Sequence, residues 1–227
     1  MSMLATGAAQ AGVVSLWDGT GSNDTTSWAG LGGDGTVIPS PFSATSAAGN
    51  PVTGSFAGGT GLVAVQCPAS PSCSWTGGFP AGDTLVWAFD AANAVGTGPV
   101  TLALGNPVLA GGVELQSDSV VQFTAQVEAF AGATPLGSAS ITSDPAGDPV
   151  FIGIQDTVAE ITSLVFSMTS CGGDDCADFA MDSLITKNAV TPPPPTPEPA
   201  SLFLLGSALA AMGLRNSRRS RKRRAGA

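Results

Sequence analysis

The sequence predicts an all-β fold, an antiparallel β-sandwich of the jelly-roll type, followed by a Pro-rich linker and a single C-terminal transmembrane helix. Three observations predict it. Gly and Pro number 30 and 17 among 227 residues and punctuate short β-rich runs. The run Val121 to Ala129 alternates without a break, with Val121, Phe123, Ala125, Val127 and Ala129 on one side and Gln122, Thr124, Gln126 and Glu128 on the other. Crossover helices, which a parallel sheet requires, have no counterpart between residues 12 and 190, and no repeat of solenoid or propeller length is present.

Residues 1–11 read as the remnant of a signal peptide. Ala9-Gln10-Ala11 before Gly12 has the small-x-small form of a cleavage site, while the basic and apolar regions that precede such a site are expected upstream of a misassigned start. Residues 12–190 are long enough to bury one core. Further strands are expected at Val13 to Trp17, Val52 to Phe56, Gly61 to Gln66, Thr84 to Phe89 and Val100 to Leu104. Val113 to Gln116, Phe151 to Ile154, Ile161 to Met168 and Phe179 to Thr186 complete the set. About ten strands with short connections suit two packed antiparallel sheets.

The charge distribution excludes several partners. Residues 1–198 hold all 17 acidic groups and one basic group, Lys187, a formal −16. Nucleic acid, anionic lipid and acidic polysaccharide are poor ligands for such a surface, because phosphate recognition depends on Lys and Arg. Neutral glycans and calcium remain open. The chain has no His and no Tyr, which removes His-based triads, His-ligated metal centres and imidazole general bases. Carboxylate chemistry of the glycosidase kind is what remains. Glu128 and Glu160 are read as lying in regular strands, where a solvated face accounts for them, and no Glu lies in a recognisable catalytic motif, so the expectation is a protein that is not an enzyme.

Four cysteines form two close pairs, Cys67 with Cys73 and Cys171 with Cys176. Local disulfides, each closing a Pro- or Gly-rich turn, are the simplest of three connectivities. A four-thiolate zinc site is the alternative, although zinc pairs usually enclose two to four residues and these enclose five and four. A structural Ca²⁺ would draw on Asp18, Asp24 and Asp182, with Asp174, Asp175 and Asp178 as a second acidic group; solvated turn acids are the competing reading. Trp28 and Trp75, set among Ser, Thr and Gly, are the candidates for stacking on a sugar, whereas Trp87 is expected in the core. Gly30-Leu-Gly-Gly-Asp-Gly35 spells a dinucleotide loop but lacks the strand-to-helix setting, and Pro39 and Pro41 follow it.

The tail has a different composition. Thr191 to Pro199 contains six prolines, and residues 191–199 are expected to follow an extended path of about 28 Å. Ala200 to Leu214 is uncharged and as a helix would reach roughly 22 Å, short of a ~30 Å hydrocarbon core unless the bilayer thins. Residues 215–227 carry Arg215, Arg218, Arg219, Arg221, Lys222, Arg223 and Arg224, a cationic stop that holds the end on the cytoplasmic side.

Pro197-Glu198-Pro199, the short apolar segment and the Arg-rich end together resemble the PEP-CTERM sorting signal of exopolysaccharide-producing Gram-negative bacteria. The resemblance implies anchoring in the inner membrane, cleavage near Pro197-Glu198-Pro199 by an exosortase, and delivery to the cell surface or extracellular matrix. A second resemblance lies upstream. Phe151 to Ile154, Glu160 to Ser167 and Phe179 to Leu184 look like the closing strands of β-sandwich domains found with this signal, which end on Phe-x-x-Asp-x-Leu; Phe179, Asp182 and Leu184 match. The function expected is therefore a non-catalytic exported protein of the surface or exopolysaccharide matrix. A carbohydrate-binding module for a neutral glycan and a secreted carboxylate glycosidase are the alternatives.

Overall fold

The computed structural model describes residues 14–58, 61–66, 78–119, 121–173 and 175–189. Residues 1–189 form one compact unit and 190–227 a second. The described residues fold into two antiparallel sheets and a small hairpin, with one 3₁₀ turn at Ala29–Leu31. Among them no helix is long and apolar enough to cross a membrane. The expected span at 200–214, the linker 191–199 and the basic end 215–227 lie outside the described residues, as do residues 1–11.

The larger sheet runs β1 (Ser15–Trp17), β14 (Val150–Gln155), β11 (Ala110–Ser117), β16 (Phe179–Met181), β7 (Thr84–Trp87), β6 (Leu62–Gln66) and β3 (Thr36–Ile38). On it, β17 (Leu184–Lys187) also pairs with β11, and β2 (Asp24–Thr26) pairs with β17. The smaller sheet runs β13 (Thr134–Thr142), β12 (Thr124–Ala131), β15 (Ile161–Ser170), β10 (Val100–Val108), β5 (Pro51–Phe56) and β4 (Phe42–Thr45). The hairpin pairs β8 (Phe89–Asp90) with β9 (Val95–Gly96).

Alternation along the strands explains why the sheets face one another. Val86, Val113, Leu115, Ile152, Ile154, Phe179 and Met181 of the larger sheet share one buried cluster with Leu102, Ala125, Val127, Ala129, Leu164 and Phe166 of the smaller. Each fully buried Leu, Ile or Phe contributes about 1.5–3 kcal/mol of transfer free energy, so this shared layer is what holds the two sheets together. The inward set expected around Val121 to Ala129 is inside from Phe123 through Ala129, and β12 itself begins at Thr124.

The chain changes sheets often. From β7 it passes to β10, then β11, then β12, stays in the smaller sheet for the hairpin β12–β13, and then visits β14, β15 and β16 in alternation. The neighbours β7, β16, β11 and β14 thereby face the neighbours β10, β15, β12 and β13.

The expected run Phe179 to Thr186 is interrupted. Leu115 pairs with Met181 and Gly112 with Ile185, so four steps on one strand oppose three on the other, a β-bulge at Asp182 and Ser183. The Asp182 amide donates to the Glu114 carbonyl across 3.0 Å, which holds the bulge against β11.

Candidate functional site

Trp28 is a core residue, which corrects its expected place on a binding surface. It is 0% exposed. Its ring meets Phe42 edge-on at 6.2 Å and its indole N–H donates to the Asp182 carbonyl at 2.8 Å. The Ser and Gly around it make the 3₁₀ turn that swings the ring inward. The expectation for Trp87 is also revised. Strand β7 sends Val86 to the shared core and Leu85 and Trp87 to the outer face, where Trp87 is half-buried against Val65, Phe79, Leu85 and Ala180. Trp75 lies outside the described residues.

Trp87 stacks on Phe89 with ring centroids 4.2 Å apart and planes 6° from parallel. Its N–H donates to the Asp178 carboxylate at 2.6 Å. Burial is the main reason the Asp178 carboxyl is pushed up to about 6; the Trp87 bond opposes this, and the charges of Asp118 and Asp175 add to it. Burial also raises Asp118. Asp175 is tied to loop backbone, accepting from Ala177 N–H at 2.9 Å and Gly96 N–H at 2.8 Å. The loop is closed by a Cys171–Cys176 disulfide with Cα atoms 5.4 Å apart. The Cys67 and Cys73 pair lies outside the described residues.

A second group of acids sits beside the bulge. Burial raises Glu114, with help from Asp182 and Asp83. Burial raises Asp182 as well, against the Ser183 N–H that donates to its carboxylate. These groups share one face because β11 presents Val113 and Leu115 to the core and Glu114 away from it. Asp178 was named from the sequence only as part of a candidate calcium cluster with Asp174 and Asp175, and Asp118 and Glu114 were not singled out; what distinguishes all three is tertiary burial, which has no local signature.

The structure does not bring Asp18, Asp24 and Asp182 together, which corrects the expected calcium set. Among the described residues no group of three or more Asp, Glu, Cys or His is placed to hold a metal ion. Asp18 is exposed and caps its own turn, accepting from Thr20 N–H at 2.9 Å, and that bond lowers its pKa. Asp182 serves the bulge. Asp24 alone lies in a pocket.

That pocket is small, with a volume of about 10 Å³, room for about one water, and it opens to solvent between the two sheets. Its polar walls are Asp24, Ser46, Asn50, Asn106 and Asn188, and Leu104 and Val108 are among its apolar ones. Asp24 is 6% exposed. Its Oδ1 accepts from the backbone N–H groups of Thr25 and Ala48, both at 2.9 Å. Its Oδ2 accepts from Ser46 Oγ at 2.6 Å, Asn50 Nδ2 at 2.9 Å and Asn188 Nδ2 at 3.5 Å. Burial works to raise this carboxyl, but the bonds from Ser46, Ala48, Asn50 and Thr25 outweigh it and hold the group below its ordinary value.

An all-β domain thus precedes a tail of separate composition. Residues 195–219 match the PEP-CTERM protein-sorting motif, and the chain carries this motif. No curated protein matches the chain. Among solved structures it is similar to the catalytic domain of a GH87 alpha-1,3-glucanase in complex with tetrasaccharides, at 14% identity and a TM-score of 0.35. That similarity covers 74% of this chain and 31% of the other, so the chain spans less than a third of that length. A likeness of this degree carries no argument about activity.

Proposed function

We propose that this chain is an exported, non-catalytic protein of the cell surface or exopolysaccharide matrix, held in the inner membrane as a precursor and released or transferred by an exosortase. The observation that carries this reading is the sorting motif at 195–219, which contains Pro197, Glu198 and Pro199 and reaches the first arginines of the basic end. Physical chemistry supports it. The seven basic residues from Arg215 to Arg224 oppose translocation, while the strongly acidic remainder suits a displayed, soluble domain. The domain is read as a jelly roll, supported by the facing quartets β7-β16-β11-β14 and β10-β15-β12-β13.

A second reading, binding of a neutral glycan, is favoured by the Trp87 and Phe89 stack beside the Asp178 carboxylate. An aromatic face suits the apolar side of a pyranose and a carboxylate accepts from its hydroxyls.

Mass spectrometry of the C-terminus from an exosortase-bearing host tests the main reading. The mature end is expected near Pro197 to Ala200. An intact Ala227 on the surface protein reduces the tail to an ordinary anchor.

A further inference from the structure

We propose that strand β13 pairs edge to edge with β13 of a second copy of this chain, a property of the domain that is independent of the sorting reading. β13 ends the smaller sheet and is bonded to β12 on one side only. Every second residue of such an edge points its N–H and C=O outward, a template for another strand. Protective features are confined to the first part of β13. Pro135 lacks a donor, and the register shifts where Ala129 faces Gly137 and Phe130 faces Pro135, which leaves Leu136 as a bulge. From Ser138 to Thr142 the pairing with β12 is regular, and the segment holds no Pro, Gly or charged residue. The other edge of this sheet, β4, has four residues and starts directly after Pro41.

The side chains suit a strand that continues the sheet. Leu136, Ala139 and Ile141 pack against the core, while Ser138, Ser140 and Thr142 are exposed on the other face. The larger sheet is open at the same end. Val14, just before β1, packs on Gly137, and Leu16, which pairs with the core residue Ile154, is 50% exposed. Leu16 therefore lies on the core side of β1, at the mouth between the sheets, where no described strand lies beyond β1 or β13.

A second copy is the occupant that this edge specifies. Antiparallel pairing about a two-fold axis sets Ser140 against the partner's Ser140, Ala139 against the partner's Ile141 and Ser138 against the partner's Thr142, the one register that pairs the whole open segment with itself. The axis keeps the core sides of the two copies together, so Ala139 and Ile141 form one apolar row and both Leu16 side chains gain cover. Charge permits this contact where it opposes most others. Residues 1–198 hold 17 acidic groups and Lys187 as their one basic group, so two copies repel over most of their surfaces. On β12 the one charged residue is Glu128, opposite Ser138. The Glu128 carboxylates of the two copies stand three strand spacings apart, about 14 Å, beyond a Debye length of about 8–10 Å.

The test is cysteine cross-linking of the full chain with a short thiol-reactive reagent, at positions whose side chains are exposed and tolerate substitution. Ser140→Cys alone is expected to give a covalent dimer. Ser138→Cys and Thr142→Cys are each expected to cross-link poorly alone and several-fold better when mixed, because the register sets one against the other. Ser43→Cys, exposed on β4, controls for chance collision and for association through the tail. A dimer yield from Ser140→Cys no higher than from Ser43→Cys overturns the pairing, and so does a mixture that cross-links no better than its components. Adding Ser140→Lys to both members of the mixture is expected to lower the yield several-fold, since a charged edge residue blocks strand addition. An undiminished yield is equally an overturning result.

Discussion

The indole N–H of Trp28 donates to the main-chain carbonyl of Asp182 across 2.8 Å, although 154 residues separate them in the chain. That bond joins the 3₁₀ turn near the start of the domain to the bulge between β16 and β17 near its end. Trp28→Phe is expected to cost about 1–3 kcal/mol, because it leaves the Asp182 carbonyl without this donor, and Trp28→Ala about 3–5 kcal/mol. Urea unfolding measures both, and equal stability of Trp28→Phe and the parent would show that the bond contributes nothing.

The Asp178 carboxyl, pushed up to about 6 from an ordinary value of 3.8, makes stability depend on pH. A carboxyl whose folded pKa is raised binds its proton more tightly when folded. Its contribution is thus fully present below 3.8 and is lost as pH rises through about 6. Asp178→Asn keeps an acceptor for the Trp87 N–H and removes the charge. Above pH 6 the variant is expected to exceed the parent by about 1 kcal/mol, a figure discounted for the solvent that reaches this half-buried group, and the gap should narrow towards pH 4. Parallel pH-dependent melts that never diverge would sink the idea.

Gly96 marks a close approach of two chains. A Cβ there would run into the backbone of Ala177 and Asp178, which cannot move aside like a side-chain tip, and the Gly96 N–H is already bonded to Asp175. Gly96→Ala is expected to destabilise the domain by about 1–3 kcal/mol. Denaturant titration against Gly30→Ala, whose added methyl meets open space, separates crowding from the loss of glycine itself.

The Cys171–Cys176 disulfide closes a short loop, with a sequence separation of 5, so its entropic contribution is modest. Replacing both cysteines by Ser is expected to cost about 2 kcal/mol on the chain-entropy account. Because the loop carries Asp175 and Ala177, whose contacts hold the β8–β9 hairpin, hydrogen exchange at Gly96 and Gly98 should quicken first. Unchanged protection at both amides would uncouple the loop from the hairpin.

Replacing Pro197, Glu198 and Pro199 with Ala leaves the apolar run and the basic end intact. Insertion is expected to persist and processing to stop, so the precursor accumulates at its full mass. Processing at the parental rate would dismiss the Pro-Glu-Pro as the recognised feature.

What could be read from the sequence follows from where each strand lies. β12 is legible because it separates a packed face from a polar one, which forces strict alternation of Phe123, Ala125, Val127 and Ala129 with Thr124, Gln126 and Glu128. Its neighbour β13, Thr134–Thr142, was not foreseen. It is the edge of its sheet and is built from small polar residues with Pro135 and Gly137, so no apolar rhythm marks it. The short strands β2, β3 and β4 escaped for want of length. The bulge at Asp182 is set by β11 and not by the local sequence. Trp28 was misplaced because Ser and Gly neighbours signal a turn without saying which way the turn points. The Asp24 pocket is the least legible feature, since Asn188 lies 164 residues from the carboxylate that it meets.

The end of the domain also has a mechanical meaning. β17 is flanked on both sides, by β11 and by β2, and just past it the Asn188 N–H donates to Asn23 Oδ1 at 2.8 Å while Asn23 Nδ2 donates to the Asn188 carbonyl at 3.2 Å. A pull on the chain at Ala189 along the direction of β17 would load these bonds and both ladders together, in shear, instead of opening them one at a time. A domain that ends in this way can be tethered by its last residue and dragged without unravelling from that residue inward.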